Sequence, residues 1–439
     1  MSIAPQGMTR GPLNGIRIID LTWKAVGPWS ARMLTPYGAE VIHVEPPHEP
    51  DDHRWDARRG QGITMTDHQV AHTEPGAVPS IPYYTAPYYS QIHNGKHAVS
   101  INTRHPEGKR LFEELVKVSD GLTENFSARV LDNWGLGWER LHELNERLVY
   151  LSTSGFGHAG ELSHYRTYGP IVQAESGLTF VSGLPGREPA GWGYSHMDIC
   201  GGWIGGLGFL LALLQAKQTG QGTYVDYAVT EGAMSLLGTY FLDFQANGRP
   251  TRRKGFPPGN HSEWPAVAPH NTYRTAGIDR QGQDWWVFIA CETQEQWEAL
   301  VTEMGKPELL SDPRFVTMKD RVANQDVLDE IISTWTAPRR RFDIMTRLQD
   351  VGVIAAVVET AEDRVEYDPQ LRHRELYPLI QHPEVGEFAY EAFPPKLSRT
   401  PPDNSLRGPA VHEHDDYVFG QILGLSERER SDLRAEGVI

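Results

Sequence analysis

The sequence is short of the features that identify several common classes of protein. It contains two cysteines in 439 residues, Cys200 and Cys291, which are too few for a disulfide framework and fit a reducing cytoplasm. It has no G-x-S-x-G motif, no G-x-G-x-x-G turn after its first strand, and no H-E-x-x-H or Cys-x-x-Cys pattern. These absences argue against an α/β-hydrolase esterase, a dinucleotide dehydrogenase and the common zinc sites.

Positive charge and long hydrophobic runs are also scarce. Lys and Arg number 41 against 57 Asp and Glu, which gives a net charge of −16 and disfavours nucleic acid or an anionic membrane as a partner. The longest apolar stretch, residues 204–216, is too short to span a bilayer. Residues 1–13 contain no apolar segment of the kind found in secretory signals. We therefore expect a cytoplasmic protein with neither a membrane nor a nucleic acid partner.

The first half of the chain alternates short apolar strands with helical segments. Strand–helix–strand units at this spacing make a parallel sheet with right-handed crossovers, so the pattern predicts a doubly wound, Rossmann-like α/β sheet. Ligands of such sheets bind beyond the carboxyl ends of the strands. The predicted strands are residues 15–21, 38–45, 98–101, 121–125 and 148–152.

The length of the chain and a change of pattern predict two domains. After residue 224 the pattern changes. A strand at 284–290 is followed by a helical segment, which is typical of a smaller α+β domain. Another buried strand is expected at 351–357. The prediction is a large Rossmann-like domain from residues 1–224 and 350–439, and a small α+β domain with linkers at 225–349.

Asp198 lies just before an apolar run studded with glycines, residues 203–216, which reads as a buried helix. One interpretation is an N-cap, because an Asp side chain accepts free backbone N–H groups at a helix start. The other is a nucleophile, because the same N–H groups and the helix dipole keep a carboxylate ionised in an apolar place. These residues alone leave both interpretations open.

Three further segments carry chemistry of more than one kind. Residues 46–89 are rich in Pro, His, Asp and Tyr and form either a functional loop or an aromatic surface excursion. Residues 255–261 (Gly-Phe-Pro-Pro-Gly-Asn-His) form either an ordinary turn or a lid whose backbone N–H groups face a reactive carbonyl. Residues 412–416 (His-Glu-His-Asp-Asp) are better explained as a solvated helix start than as a metal site. We predict no metal.

A series of short motifs, taken in order along the chain, resembles the class III CoA-transferases, the family that includes formyl-CoA, carnitine and benzylsuccinate CoA-transferases. Each motif is short, but their common order over nearly the whole chain is specific. They occupy residues 13–22, 27–28, 38–45, 94–96, 103–108, 124–126, 135–137, 154–157, 217–222, 268–270, 312–315 and 368–371.

The resemblance implies a transferase that moves CoA from an acyl-CoA to a free carboxylic acid. It implies an interlocked homodimer in which each chain forms a ring threaded by the other, with coenzyme A as a substrate and no permanently bound cofactor. The family's nucleophilic aspartate falls on Asp198. Its CoA-binding positions fall on Ala25, Val26, Ile101, Arg104, Asn125, Phe126, Ser127, Arg166 and Tyr168, and its active-site glycine loop falls on Gly259, Asn260 and His261.

The chain departs from the family pattern at several of these positions. Some members have Gln at Ala25 and Arg at Pro46, so the handling of the intermediate by that Gln is absent or done by another residue. The α-methylacyl-CoA racemase branch has His-Asp where this chain has Tyr168 and Gly169, which favours a transferase. A racemase-like enzyme stays an alternative, as does one subunit of a heteromeric CoA-transferase, although Asp198 argues against an inactive subunit.

Overall fold

The computed structural model describes residues 11–47, 54, 87–193, 196–382 and 386–439. Most of the Pro- and Tyr-rich segment at 46–89 therefore lies outside the described residues. The strands are β1 (Arg17–Asp20), β2 (Glu40–Glu45), β3 (His97–Ser100), β4 (Gly121–Glu124), β5 (Val149–Ser154), β6 (Thr223–Ala228), β7 (His270–Ile278), β8 (Asp284–Ala290), β9 (Ile354–Val357), β10 (Leu379–His382) and β11 (Gly386–Ala389).

Helices separate most of these strands. They are α1 (Val26–Arg32), α2 (Pro87–Ile92), α3 (Pro106–Lys117), α4 (Val130–Asn133), α5 (Trp138–Leu144), α6 (Gly169–Glu175), α7 (Leu178–Val181), α8 (His196–Thr219), α9 (Val229–Ser235), α10 (Gly238–Asn247), α11 (Gln294–Met304), α12 (Met318–Ala323), α13 (Gln325–Thr336), α14 (Arg341–Asp350), α15 (Pro369–His373) and α16 (Glu427–Ala435).

The chain divides into two compact units. The first comprises Met1–Leu178, Gly191–Phe241 and Gln370–Ile439, and the second comprises Thr179–Ala190 and Leu242–Pro369. The sequence-based boundaries, at 224/225 and 349/350, fall at other residues. Residues 225–241 stay with the first unit because Val229 and Ala233 pack with Val172 and Met197 there. The strand expected at 351–357 is β9, which pairs with β8 in the second unit.

The first unit is built on a six-stranded parallel sheet with the order β3-β2-β1-β4-β5-β6. This order confirms the predicted doubly wound, Rossmann-like fold. The direction of strand succession reverses between β1 and β4, and the crevice beyond the carboxyl ends of these two strands is the usual ligand site of such sheets. The segments that follow β1 and β4 are therefore the expected ligand-binding segments.

Both faces of this sheet are buried, as a doubly wound sheet requires. On one face Ile18, Val41 and Leu151 form a core cluster with α8 through Phe209 and Leu213. On the other face, the cluster joins the sheet to α3 and to the C-terminal segment. Its members include Ile19, Ile42, Val99, Leu122, Leu111, Phe112, Leu115, Val418, Phe419 and Leu433.

Asp20, at the end of β1, is fully buried and joins three strands. Its Oδ1 accepts hydrogen bonds from the backbone N–H of Thr22 (3.0 Å) and from Oγ1 of Thr123 on β4 (3.1 Å). Its Oδ2 lies 2.7 Å from Nζ of the buried Lys96 and 3.3 Å from Nδ1 of His43 on β2. Burial alone would raise the pKa of Asp20, but Lys96 and His43 outweigh it and hold that pKa well below its usual range. The carboxylate is therefore ionised and saturated with partners.

The atoms of Asp20, His43 and His93 are close enough to one another to hold a metal ion, since they all lie within 4.8 Å. The Lys96 ammonium lies among them, 2.7 Å from Asp20 Oδ2 and 3.3 Å from His93 Nδ1. A positive charge is thus already provided by the chain at this place. The trio is better explained as the surroundings of a buried lysine than as a metal site.

The second unit contains an antiparallel three-stranded sheet with the order β7-β8-β9. Helices α11, α13 and α14 supply most of its core, which includes Trp297, Leu328 and Ile344 against Val287 and Ile289. A Thr293 capping box starts α11, in which the Thr side chain and Gln296 bond each other's backbone N–H groups. The unit is the predicted small α+β body.

Helix α8 is longer than the apolar run suggested. Among the described residues it is the one helix that is long and apolar enough to cross a membrane by length and composition alone, with a mean hydropathy of 1.7. The apolar run at residues 204–216 underestimated the length of this helix, which begins at His196 and ends at Thr219. Buried core helices can have the same length and composition, and Phe209 and Leu213 of α8 lie in the core.

The Asp20–Lys96 pair predicts a large stability effect. Asp20→Asn leaves the Lys96 ammonium buried without its counter-charge, which should lower the free energy of unfolding by about 3–5 kcal/mol in urea denaturation at pH 7. Because the folded pKa of Asp20 is depressed, its contribution should be present above the unfolded pKa of about 3.9 and be lost as the pH falls below it.

The control is Glu113→Gln, which removes one of the two carboxylate partners of the exposed Arg140 and should change stability little. Equal, small effects of both substitutions would contradict the role given to Asp20.

Candidate active site at the carboxyl edge of the sheet

The turns after β1 and β4 are joined directly. Asn125, which follows β4, accepts a hydrogen bond from the backbone N–H of Trp23 at Oδ1 (2.8 Å) and donates from Nδ2 to the carbonyl of Trp23 (2.9 Å). Gly27 makes this approach possible, because an added Cβ there would lie 2.5 Å from Thr22 and 2.7 Å from Asn125 Cγ. The two predicted CoA-binding segments, residues 25–26 and 125–127, therefore meet at the switch point of the sheet.

Asp198 lies in the first turn of α8, as its third residue, and its side chain is partly buried. The N-cap interpretation is wrong in detail, since the helix begins two residues earlier, at His196. The placement still puts Asp198 at the end of the helix where the backbone N–H groups have no partner within the helix itself and where the helix dipole is positive. Both effects favour the ionised form of a carboxylate.

Glycines press the first turns of α8 against their neighbours. A Cβ on Gly202 would lie 2.5 Å from Cβ of Trp29 and 2.7 Å from the carbonyl oxygen of Val26. A Cβ on Gly201 would lie 2.6 Å from Cγ1 of Val229. The part of α8 at Gly202, one turn after Asp198, is thus packed directly against the start of α1 at the switch point.

The other predicted CoA-binding residues of the first unit lie at or near the same edge of the sheet. Ile101 and Arg104 follow β3, the edge strand, and the Arg104 side chain is exposed. Tyr168 is the residue before α6 and is 66% exposed, and Arg166 is exposed as well. Helix α6 packs on α8 and α9. Two cationic groups are therefore open to solvent, Arg104 in the turn after β3 and Arg166 on the segment that leads to α6.

A polar network that the motifs did not indicate begins at Glu124, the last residue of β4. Its Oε2 accepts the backbone N–H of Phe126 (2.6 Å), and its Oε1 accepts the Ser152 hydroxyl, which in turn lies 2.7 Å from Nε2 of His158. Burial raises the pKa of Glu124 to about 7, although these hydrogen bonds oppose the shift. The signal in the sequence was a carboxylate inside a buried strand, directly before the Asn-Phe pair.

Beside this network is a cavity of about 390 Å³ that Ser127, of the predicted CoA segment, also lines. Tyr224 and Asp226 of β6 line it, whereas Tyr227 of the same strand contacts α8 at Gly205. Because side chains alternate along a strand, the cavity lies on the face of the sheet opposite α8. It is therefore a separate feature from the surroundings of Asp198.

Gly259, Asn260 and His261 belong to the second unit. Gly259 has a positive φ of 68°, and a Cβ there would lie 3.3 Å from Pro185. Nε2 of His261 lies 2.7 Å from Oδ2 of Asp329 on α13. The segment is thus a tight turn held by side chains of its own unit.

Comparison with known proteins identifies relatives along the whole chain. A family model described as CoA-transferase family III matches residues 13–415. The chain is 32% identical to the succinyl-CoA–D-citramalate CoA-transferase of Chloroflexus aurantiacus, over 98% of each chain. It is 30% identical to the beta subunit of the succinyl-CoA–L-malate CoA-transferase of that organism, again over 98% of each. Its structure resembles that of a CAIB/BAIF family protein from Brucella suis, with 28% identity, a TM-score of 0.79, and coverage of 94% of this chain and 100% of the other.

The glycine contacts of α8 generate a matched pair of substitutions. Gly202→Ala forces Trp29 or the Val26 backbone to move and should lower stability by about 1–3 kcal/mol through overpacking. Gly208→Ala, in the same helix, meets its nearest neighbour at 4.0 Å and should be neutral or raise stability by roughly 0.5–1 kcal/mol. Thermal unfolding of both variants measures this. Equal effects would show that close packing is not why Gly202 is there.

Proposed function

Since the chain belongs to CoA-transferase family III and is an enzyme of that class, we propose that Asp198 carries the reacting groups covalently while CoA moves from an acyl-CoA to a free carboxylic acid. The observation that carries this proposal is the position of Asp198 in the first turn of α8, one turn before Gly202, which packs against Val26 and Trp29 at the switch point of the sheet. An ionised carboxylate at a helix start is a competent nucleophile that needs no further base.

The exchange proceeds in balanced steps. A carboxylate oxygen of Asp198 attacks the thioester carbonyl, the C–S bond breaks, and a mixed anhydride and the CoA thiolate form. The thiolate attacks the Asp198 carbonyl carbon, releasing the donor acid and leaving an aspartyl-CoA thioester. The acceptor carboxylate displaces CoA to give a second anhydride, and the thiolate attacks its acceptor carbonyl to release the new acyl-CoA and free Asp198. The covalent intermediates divide one difficult exchange into several easier steps.

Coenzyme A enters as a substrate and carries several negative charges, while the chain as a whole has a net charge of −16. We assign its binding to Ala25, Val26, Asn125, Phe126 and Ser127 at the switch point. Further contacts come from Ile101 and Arg104 and from Arg166 and Tyr168. The exposed guanidinium groups of Arg104 and Arg166 supply the local positive charge that phosphate groups require.

The relatives favour a particular class of acids. Two of the relatives are named for succinyl-CoA and for citramalate or malate, which are 2-hydroxy dicarboxylic acids. We propose that this enzyme also takes a short dicarboxylic acyl-CoA and a short hydroxy dicarboxylate. The family's active-site glycine loop is assigned, by the resemblance, to Gly259, Asn260 and His261.

We also propose that the enzyme works in the cytoplasm as an interlocked homodimer. Leu207, Leu211 and Leu214 lie on one stripe of α8 and are each more than half exposed, at 56, 61 and 55%. An exposed apolar stripe of this kind fits burial against another chain. A paralogous subunit is the second candidate for that chain, because relatives include both single-chain enzymes and paired alpha and beta subunits.

Asp198→Asn and Asp198→Ala should lower the rate of acyl exchange between succinyl-CoA and malate or citramalate by several orders of magnitude, since the nucleophile is gone. The matched control is Glu231→Gln, which removes an exposed carboxylate from the first turn of α9 and should leave the rate unchanged. Activity of the Asp198 variants within about tenfold of the parent, roughly 1.4 kcal/mol, would remove Asp198 from the chemistry.

Arg104→Ala and Arg166→Ala should raise the KM for acyl-CoA more than they lower kcat, and the defect should change with salt because it is electrostatic. Arg110→Ala is the matched control, since Arg110 is exposed and its guanidinium is paired with Glu107 (2.9 Å). If KM is unchanged in both test variants, these arginines are ordinary surface residues.

A further inference from the structure

Glu124, the last residue of β4, is a buried carboxyl group that bonds the turn following its own strand. The residue is 1% exposed, and its Oε2 accepts the backbone N–H of Phe126 at 2.6 Å. This N–H belongs to the segment 125–127, to which we assign CoA binding. The bond ties the first residues after β4 to a side chain of the strand itself, so it fixes how the turn leaves the sheet.

The turn held in this way makes contacts of its own with the segment after β1. Asn125 is bonded to the backbone of Trp23. The ring of Phe126 meets the rings of Trp23 and Trp134 edge to face, with centroids 6.4 and 5.4 Å apart. A shift of the Phe126 backbone would therefore move the amide and the ring that shape this part of the CoA segment.

The second oxygen of Glu124 begins a chain of hydrogen bonds that leads towards solvent. Oε1 is bonded to the hydroxyl of Ser152, which lies 2.7 Å from Nε2 of His158. The side chain of His158 is 16% exposed, and it lines the cavity of about 390 Å³ together with Glu124. A hydroxyl can donate in either direction. The chain can therefore take a proton from Glu124, or return it, without moving a heavy atom.

We propose that Glu124 is a positioning residue for the CoA-binding turn, and that it holds this turn more firmly when its carboxyl group is ionised. The inference rests on the proposed function, which assigns the turn to coenzyme A. In the ionised form both oxygens accept, and the bond from the Phe126 N–H is charge-assisted, which makes it roughly twice as strong as a neutral one. In the protonated form Oε1 donates to Ser152, and the bond at Oε2 is a neutral one.

The change between the two forms falls in the neutral pH range. Burial is the largest cause, and it raises the pKa of Glu124 to about 7. The hydrogen bonds from Ser152, Phe126 and Tyr150 oppose this shift, and the charge of Asp132 adds to it.

The neighbouring rings stay neutral in this range. Burial raises the pKa of Tyr150 well above 10 and that of Tyr224 to about 12, and it lowers the pKa of His158. The charged groups that line the same cavity are Arg129, Asp132, Glu139 and Asp226. Glu124 is therefore the member of the hydrogen-bonded network whose charge changes near pH 7.

Ionisation of Glu124 has opposite effects on stability and on the turn. Its folded pKa lies above the ordinary glutamate value of about 4.3. The stability that this group contributes is therefore fully present below about pH 4.3 and is lost as the pH rises through about 7. The bond to Phe126 becomes stronger over the upper part of the same range. A purely structural role would move stability and substrate binding in the same direction.

The experiment measures KM and kcat with succinyl-CoA and malate or citramalate from pH 6 to pH 8.5, in the full-length enzyme and in Glu124→Gln. Gln cannot ionise, but its amide accepts from Phe126 and donates to Ser152, so the variant reproduces the protonated form at every pH. The ratio of its KM for acyl-CoA to that of the unmodified enzyme should be about one at pH 6 and roughly five at pH 8, with kcat little changed. Ionisation of the CoA phosphate is common to both enzymes and cancels from this ratio.

Two further variants sharpen the test. Ser152→Ala removes a hydrogen bond that favours the ionised form of Glu124, so the change in KM should move to higher pH. Glu139→Gln is the matched control, because Glu139 is an exposed carboxylate that lines the same cavity. It should leave KM and its pH profile intact.

Thermal unfolding separates positioning from a general loss of structure. Relative to the unmodified enzyme, Glu124→Gln should gain melting temperature between pH 6 and pH 8, where its KM becomes worse. A KM ratio that stays near one at every pH would overturn the proposal. So would a rise in KM matched at every pH by a fall in kcat and in melting temperature, which is the result of a purely structural role. Failure of the proposed function itself gives a different result, namely transfer that persists in Asp198→Asn.

Discussion

The buried carboxylate of Asp20 is the interaction on which the geometry of the first unit depends. It holds Thr22 in the turn after β1, Thr123 on β4 and His43 on β2, and it neutralises Lys96. Because the turn after β1 starts at Asp20, the hydrogen bonds of this carboxylate fix the direction in which that turn leaves the sheet. The bonds between Asn125 and Trp23 then continue the same arrangement one residue further towards the ligand edge.

The candidate site is what this arrangement makes room for. Gly27 lets the two turns approach, and Gly202 lets α8 lie on the start of α1, so that Asp198 comes to the switch point at the positive end of a long helix. The proposed covalent chemistry follows from placing a carboxylate at the edge of the sheet where the ligands of such folds bind.

Part of this could be predicted from the sequence, and the reasons for the rest are physical. The parallel sheet and the helix after Asp198 followed from local patterns of apolar residues, which is the most direct signal a sequence carries. The start of α8 at His196, two residues before Asp198, did not follow from the apolar run, which begins at residue 203. The strand β9 was assigned to the wrong body because its partner, β8, is more than sixty residues away in the chain. The two residues of the pair Asp20–Lys96, and those of the pair His261–Asp329, are also more than sixty residues apart, so only the fold reveals these pairs.

The most direct test of the account is a search for the covalent intermediate. The enzyme is incubated briefly with succinyl-CoA in the absence of an acceptor, quenched in acid, digested and examined by peptide mass spectrometry. The account predicts a peptide containing Asp198 that carries the mass of CoA in thioester linkage and returns to its unmodified mass when malate or citramalate is added before the quench. An enzyme that transfers CoA while this peptide stays unmodified, or that carries the adduct on another residue, would contradict the account.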